Sequence, residues 1–177
     1  MTMTKTLALA GLLLAAAAGT ALSASSSPDV LELVRASVRQ QAEAKFGQGC
    51  GEVVLPDRSF VPVDVTGDGR SEYAVLFALA QCGGALTYWS GTGGGVIEFW
   101  MVEDGRPRLV LTEQMHGFTP TATGFVAYEH GSFCPDGYGP QLCVMTYRWD
   151  SGSGRFDVVR RELWAGPNPP EMAIRAE

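Results

Sequence analysis

The chain has 177 residues, with 19 acidic and 13 basic side chains and a formal net charge of −6. That balance leaves no basic patch for nucleic acid and disfavours anionic membranes and phosphorylated ligands. The length suits one ordinary domain with a real core.

Residues 1–24 read as a secretory leader. Lys5 is the only charge before an apolar run from Leu7 to Ala18, and small residues follow in "GTALSASSS". Ala21-Leu22-Ser23 satisfies the small-x-small pattern, which places cleavage after Ser23 or Ala24. The run is short and rich in Ala and Gly for a membrane span, so cleavage is favoured over the alternative of an uncleaved anchor. The expectation is a secreted or periplasmic protein with no membrane span after cleavage. It would hold a single domain over residues 25–165 and a loose tail over 166–177.

The segment "SPDVLELVRASVRQQAEAKFG" predicts a helix over residues 28–46. Ser27 can cap it, Pro28 suits the first turn, and Asp29 complements the positive end of the helix dipole. Leu31, Val34, Val38 and Ala42 are three or four apart and form one apolar stripe, expected to pack on a sheet. Gly47 is the expected stop.

From residue 52 to 164, turn residues punctuate short apolar runs and helical periodicity is lost. "SFVPV" is a short strand, and Pro62 marks it as an edge or a strand end. "EYAVLFALA" is apolar on both parities, Tyr73, Val75, Phe77 and Leu79 against Ala74, Leu76, Ala78 and Ala80. A central strand has that pattern, and a buried helix also fits its Ala and Leu content. "GVIEFWMVEDGRPRLVLTEQ" is a hairpin turning at Asp104-Gly105. "GFVAYEH" is a further strand, and "LCVMTYRWDSGSGRFDVVRREL" is a second hairpin around Asp150 to Gly154. The prolines of "GPNPPEMAIRAE" mark a loosely held end. Each hairpin follows an apolar strand and a cysteine-bearing loop, so the two regions read as a distant repeat of two propeller-blade-like units. The fold class is α+β, mainly β: an N-terminal helix on antiparallel sheet built from hairpins.

The four cysteines, Cys50, Cys82, Cys134 and Cys143, all follow the leader. In an oxidising compartment an even set suggests two disulfides, with three connectivities open. Cys134–Cys143 is favoured because "CPDGYGPQLC" is a short, turn-rich loop, and Cys50–Cys82 then follows. Zinc is disfavoured, since there is no Cys-x-x-Cys pair and the only histidines are His116 and His130.

The stretch "VDVTGDGRSEY" carries Asp64, Asp68 and Glu72 at intervals of four around Gly67 and Gly69. Calcium takes six to eight oxygens in flexible geometry. Asp64, Asp68 and Glu72 would give carboxylate oxygens, Thr66 a hydroxyl or a place for water, and Arg70 its backbone carbonyl with its side chain pointing away. An EF-hand is excluded, because Val75 stands where a bidentate Glu is required and the flanks read as strands. The competing reading is a glycine-rich turn whose Asp side chains satisfy backbone amides.

"DVTGDGRSE" followed by "YAVLF" resembles the calcium loop of FG-GAP and VCBS-type repeats, roughly D-x-[DN]-G-D-G-x-x-[DE] between β-strands. The resemblance covers about a dozen residues, without an array of repeats. Thr66 stands where the family usually has Asp or Asn. It implies a structural, non-catalytic calcium ion in a small secreted bacterial domain.

Other motifs point less sharply. "CGGALTYWSGTGGG" reads as a loop between strands, since no Lys follows its glycines. Tyr88 and Trp89 within it are the candidates for an exposed ligand contact, whereas Trp100 and Trp149 sit in strand runs and are expected in the core. His130 lies near Ser132 and Asp136 in "HGSFCPD", but no Gly-x-Ser-x-Gly elbow accompanies them. The expected function is a non-catalytic binding or structural module whose partner is a protein or glycan of the cell envelope. The alternatives are a small envelope hydrolase using His130 or His116 as base, and an inhibitor of an extracellular enzyme.

Overall fold

The computed structural model describes residues 29–50, 52–83, 85–86 and 90–176; for 45–50 and 85–86 it describes the backbone alone. The expected leader, Ser27, Pro28, Tyr88 and Trp89 lie outside the described residues. Helix α1 spans Val30–Cys50. Asp29 caps it, its Oδ1 accepting the Leu31 N–H at 3.0 Å. Gly47 does not end the helix, which runs on to Cys50. A glycine inside a helix costs about 1 kcal/mol without forbidding it.

Strands β1 (Val53–Val54), β4 (Gln81–Cys82) and β5 (Ala85–Leu86) make a small antiparallel sheet. The first large sheet contains β2 (Phe60–Val63), β3 (Glu72–Leu76), β6 (Ser90–Gly91), β7 (Gly94–Glu103) and β8 (Arg106–Met115). Its order is β2-β3-β7-β6, with β8 also paired to β7. The second holds β9 (Gly117–Thr121), β10 (Gly124–His130), β11 (Leu142–Asp150), β12 (Arg155–Leu163) and β13 (Ile174–Arg175), in the order β12-β11-β10-β9-β13. Each large sheet is thus an antiparallel meander with short additions at its margin.

Local chemistry explains these choices. Asp104 and Gly105 both have positive φ, 50° and 73°, which a tight hairpin turn of the I′ kind demands. Pro62 lies on β2, at the margin of its sheet, as its missing N–H requires. β3 is central, but it stops at Leu76 and a 3₁₀ turn, Phe77–Leu79, follows. Asp150 closes the second hairpin by accepting the Gly152 N–H at 2.9 Å and the Ser153 hydroxyl at 2.7 Å.

The first sheet is the middle layer. On one face α1 lays Val34, Val38 and Ala42, all buried, against Phe60, Val75, Phe77 and Trp100. On the other face Ala74, Leu76, Ile97 and Phe99 meet Phe118, Phe125, Met145, Tyr147 and Phe156 of the second sheet. Phe99 stacks on Phe125 with centroids 4.5 Å apart, and Phe125 stacks on Tyr147 at 4.7 Å. The tail is not loose throughout. β13 pairs with β9, Ala176 is buried in the core, and its N–H donates to the His116 carbonyl at 3.0 Å.

Candidate functional site

The loop between β2 and β3 is closed by its own hydrogen bonds. Asp64 Oδ1 accepts the Gly67 N–H at 2.7 Å, and its Oδ2 accepts the Gly69 N–H at 3.0 Å. Asp68 Oδ1 accepts the Arg70 N–H at 2.8 Å. Glu72, buried at 3 % exposure, accepts the Val65 N–H at 2.9 Å and the Thr66 N–H at 3.2 Å through Oε2. Its Oε1 accepts the Thr66 hydroxyl at 3.3 Å. Burial holds the Glu72 carboxyl above the usual range, against the pull of those backbone donors.

The Arg70 side chain does not point away. Its Nε and Nη2 donate to Asp68 Oδ2 at 2.9 and 2.6 Å, and that contact lowers the Asp68 pKa. The oxygen-rich donor chemistry suits a hard cation. In this arrangement the Asp68 carboxylate is paired with the Arg70 guanidinium. Among the described residues no group of three or more His, Cys, Asp or Glu side chains is placed to hold a metal ion.

Gly67 shows what the loop touches. Its φ is +77°, and a Cβ there would collide with the Ala122 carbonyl, in the turn between β9 and β10. The loop of the first sheet therefore sits directly on a turn of the second.

The disulfide Cys134–Cys143 is present, with Cα atoms 5.4 Å apart. Cys82 is disulfide-bonded as well, while the side chain of Cys50 lies outside those described. The first bridge rigidifies one wall of a concave surface centred on Thr92. Three adjoining depressions of about 410, 330 and 370 Å³ share that residue. Ser90, Gly94, Gly95, His116 and Ala176 line the first. Gln141, Met172 and Arg175 join His116 in the second, and Gln114, His130, Ser132 and Phe133 line the third. Gly94, at φ +93°, lets the β6–β7 turn pass against the Met115 backbone, where a Cβ would collide.

Among the described residues none that line these depressions is acidic, although the chain has 19 acidic side chains. Neutral donors and acceptors predominate. Gln114 spends one N–H on the Gly94 carbonyl at 3.2 Å, and Gln141 Oε1 accepts the Tyr138 N–H at 3.1 Å. Phe133, at 45 % exposure, lines the third depression, and Tyr138, at 63 % exposure, lies on the adjoining disulfide loop.

Both histidines border this surface. His130 Nδ1 is 2.8 Å from Ser132 Oγ. A Cβ on Gly139 would lie 3.3 Å from the other ring nitrogen, so a backbone segment faces Nε2. Among the described residues no carboxylate is hydrogen-bonded to His130, and Asp136 stands in a left-handed turn at φ 61°. The Ser–His contact is a local one between residues two apart, with no carboxylate among the described residues to orient the imidazole.

Sequence reasoning named His116, His130 and Ser132 without seeing that the histidines share one surface. It missed Thr92, Gln114, Gln141, Phe133, Tyr138 and Arg175, which come from separate segments. Trp100 and Phe156 are buried as core residues, and Trp149 packs against that core. Among the described residues no helix is long and apolar enough to cross a membrane. Comparison with family models, with curated proteins and with solved structures finds no match.

Proposed function

We propose that the chain is a secreted or periplasmic, non-catalytic binding module that holds an envelope glycan against the surface around Thr92. The observation that supports this most is the lining, free of acids among the described residues, with neutral amide and hydroxyl groups beside the exposed ring of Phe133 and with Tyr138 exposed on the adjoining disulfide loop. Sugars offer hydroxyls to such groups and C–H faces to such rings. Clefts with a few convergent polar groups and aromatic walls are the usual form of a ligand site.

The acidic loop has a structural part in this proposal. Calcium is the ion proposed for it, through Asp64, Thr66, Asp68, the Arg70 carbonyl and Glu72, once the Arg70 guanidinium yields Asp68. It would reinforce the seat of the loop on the β9–β10 turn and take no part in chemistry.

The test is a glycan array probed with the mature protein, followed by an NMR titration with the best soluble oligosaccharide. Shifts are expected at Thr92, Gln114 and Gln141, with affinity reduced about tenfold or more by Phe133→Ala combined with Tyr138→Ala. Binding of no glycan, or binding that the double variant leaves intact, overturns the reading. Turnover of the oligosaccharide that Ser132→Ala abolishes would establish the hydrolase alternative instead.

A further inference from the structure

A polar cluster lies beneath this surface, inside the sandwich. On β10, Phe125, Ala127 and Glu129 share the inward parity, and Glu129 is only 1 % exposed. The Tyr147 hydroxyl, on β11, donates to Glu129 Oε1 at 2.8 Å. The other oxygen, Oε2, is buried without a hydrogen-bond partner among the described residues. Glu113, half-buried on β8, interacts with the same phenol. Arg161 on β12 is the cation that this group senses, and it is exposed. His130 is the next residue on the Glu129 strand.

Counting protons defines what the cluster needs. A phenol has one hydrogen, and Tyr147 gives it to Glu129. An ionised Glu129 would leave Oε2 as a bare anionic acceptor in a dry core, which is costly. An ionised Glu113, beside the same phenol, would add a second like charge that repels the first. One proton on Glu129 removes the buried charge and, with it, the repulsion from Glu113. When that proton departs to water, the half-exposed Glu113 is the member able to turn outward.

The position of the cluster gives this a consequence. Gln114 directly follows Glu113 on β8, His116 stands just past the strand's end, and His130 directly follows Glu129; all three line the surface around Thr92. We propose that Glu113, Tyr147 and Glu129 form a proton-operated latch that fixes the spacing between the Gln114 and His130 walls of the cleft. Protonated, the latch draws the end of β8 onto β10 and β11. Deprotonated, it releases the Gln114 wall.

Burial raises the carboxyls of both Glu113 and Glu129, the latter to about 7. The latch is thus closed in mildly acidic surroundings and opens above neutrality. It does not depend on the identity of the ligand, so it stands or falls apart from the glycan reading.

The experiment is NMR on the mature protein from about pH 5 to about pH 9. The ¹³C carboxyl resonance of Glu129 should titrate near 7, far above an ordinary carboxyl. Protection factors of the Gln114 and Met115 amides should fall in step, by between about tenfold and about 300-fold. The upper figure is the full displacement of Glu129 from 4.5 to about 7. Glu129→Gln should abolish the step while leaving the histidine titrations in place, and Tyr147→Phe should move its midpoint. An identical step in Glu129→Gln would assign it to the histidines and overturn the latch. Should that variant not fold, a wild-type Glu129 resonance that titrates in the ordinary carboxyl range overturns it equally.

Discussion

Removing the Cys134–Cys143 bridge is expected to cost between about 3 and about 4 kcal/mol. The bridge joins residues nine apart in sequence. For a loop of that size the chain-entropy relation gives about 2.6 kcal/mol near room temperature. Both half-cystines are buried, Cys134 at 5 % and Cys143 at 0 % exposure, so substitution by Ala also leaves a small void. That void adds about 1 kcal/mol. Urea unfolding of the Cys134→Ala/Cys143→Ala variant, without reductant, measures the sum. Because the bridge acts mainly on the unfolded chain, the urea dependence should steepen slightly as that chain expands. The loop also has internal support: the Cys134 N–H donates to the Gly131 carbonyl at 3.0 Å, and the Gln141 N–H to the Tyr138 carbonyl at 3.0 Å. A loss below about 1 kcal/mol, with an unchanged slope, would refute the entropic account and assign the loop's order to those bonds.

Three further outcomes follow from the same geometry. Glu129 has a folded pKa of about 7 against an ordinary value of 4.5, so its contribution is fully present below the lower value and is lost as pH rises through the upper. Urea unfolding should therefore show stability falling by about 3 kcal/mol across that window, and Glu129→Gln should flatten the profile. Arg70→Ala frees Asp68; the rise in melting temperature between chelator and millimolar calcium should be larger in this variant than in the parent, and no shift in either removes calcium from the loop. Phe99→Ala empties the contact between the sheets and should cost about 3–5 kcal/mol by urea unfolding, whereas a loss near 1 kcal/mol would mean that the core collapses around it.

What the sequence discloses is what repeats locally. The helix stripe Val34, Val38 and Ala42, the turn at Asp104-Gly105 and the edge position of Pro62 each follow from a short-range rule, and each is found in the fold. β9 is missed because "GFTPT" is brief and contains Pro120; it is recognisable only through its pairing with β10. β13 is missed because the prolines before it signal disorder, while Ala176 is drawn into the core by contacts distant in sequence. The surface around Thr92 is assembled from the β6–β7 turn, the ends of β8 and β10, the disulfide loop and the tail, which no local pattern links. Glu129 did carry a signal: it has the parity of Phe125 and Ala127, an acid where alternation demands an apolar side chain.

The contact between Gly67 and the Ala122 carbonyl bears on how the chain acquires its shape. Within each meander, most neighbouring strands are also close in sequence, so each sheet can grow from hairpins at small entropic cost. The sandwich cannot, since it joins segments far apart along the chain. The β2–β3 loop closes through hydrogen bonds that are all its own, so its closure does not require the second sheet. It can then act as a stop that sets how far one sheet slides over the other. A side chain at Gly67 would leave both sheets formed and their alignment late or wrong, so refolding should slow while unfolding quickens.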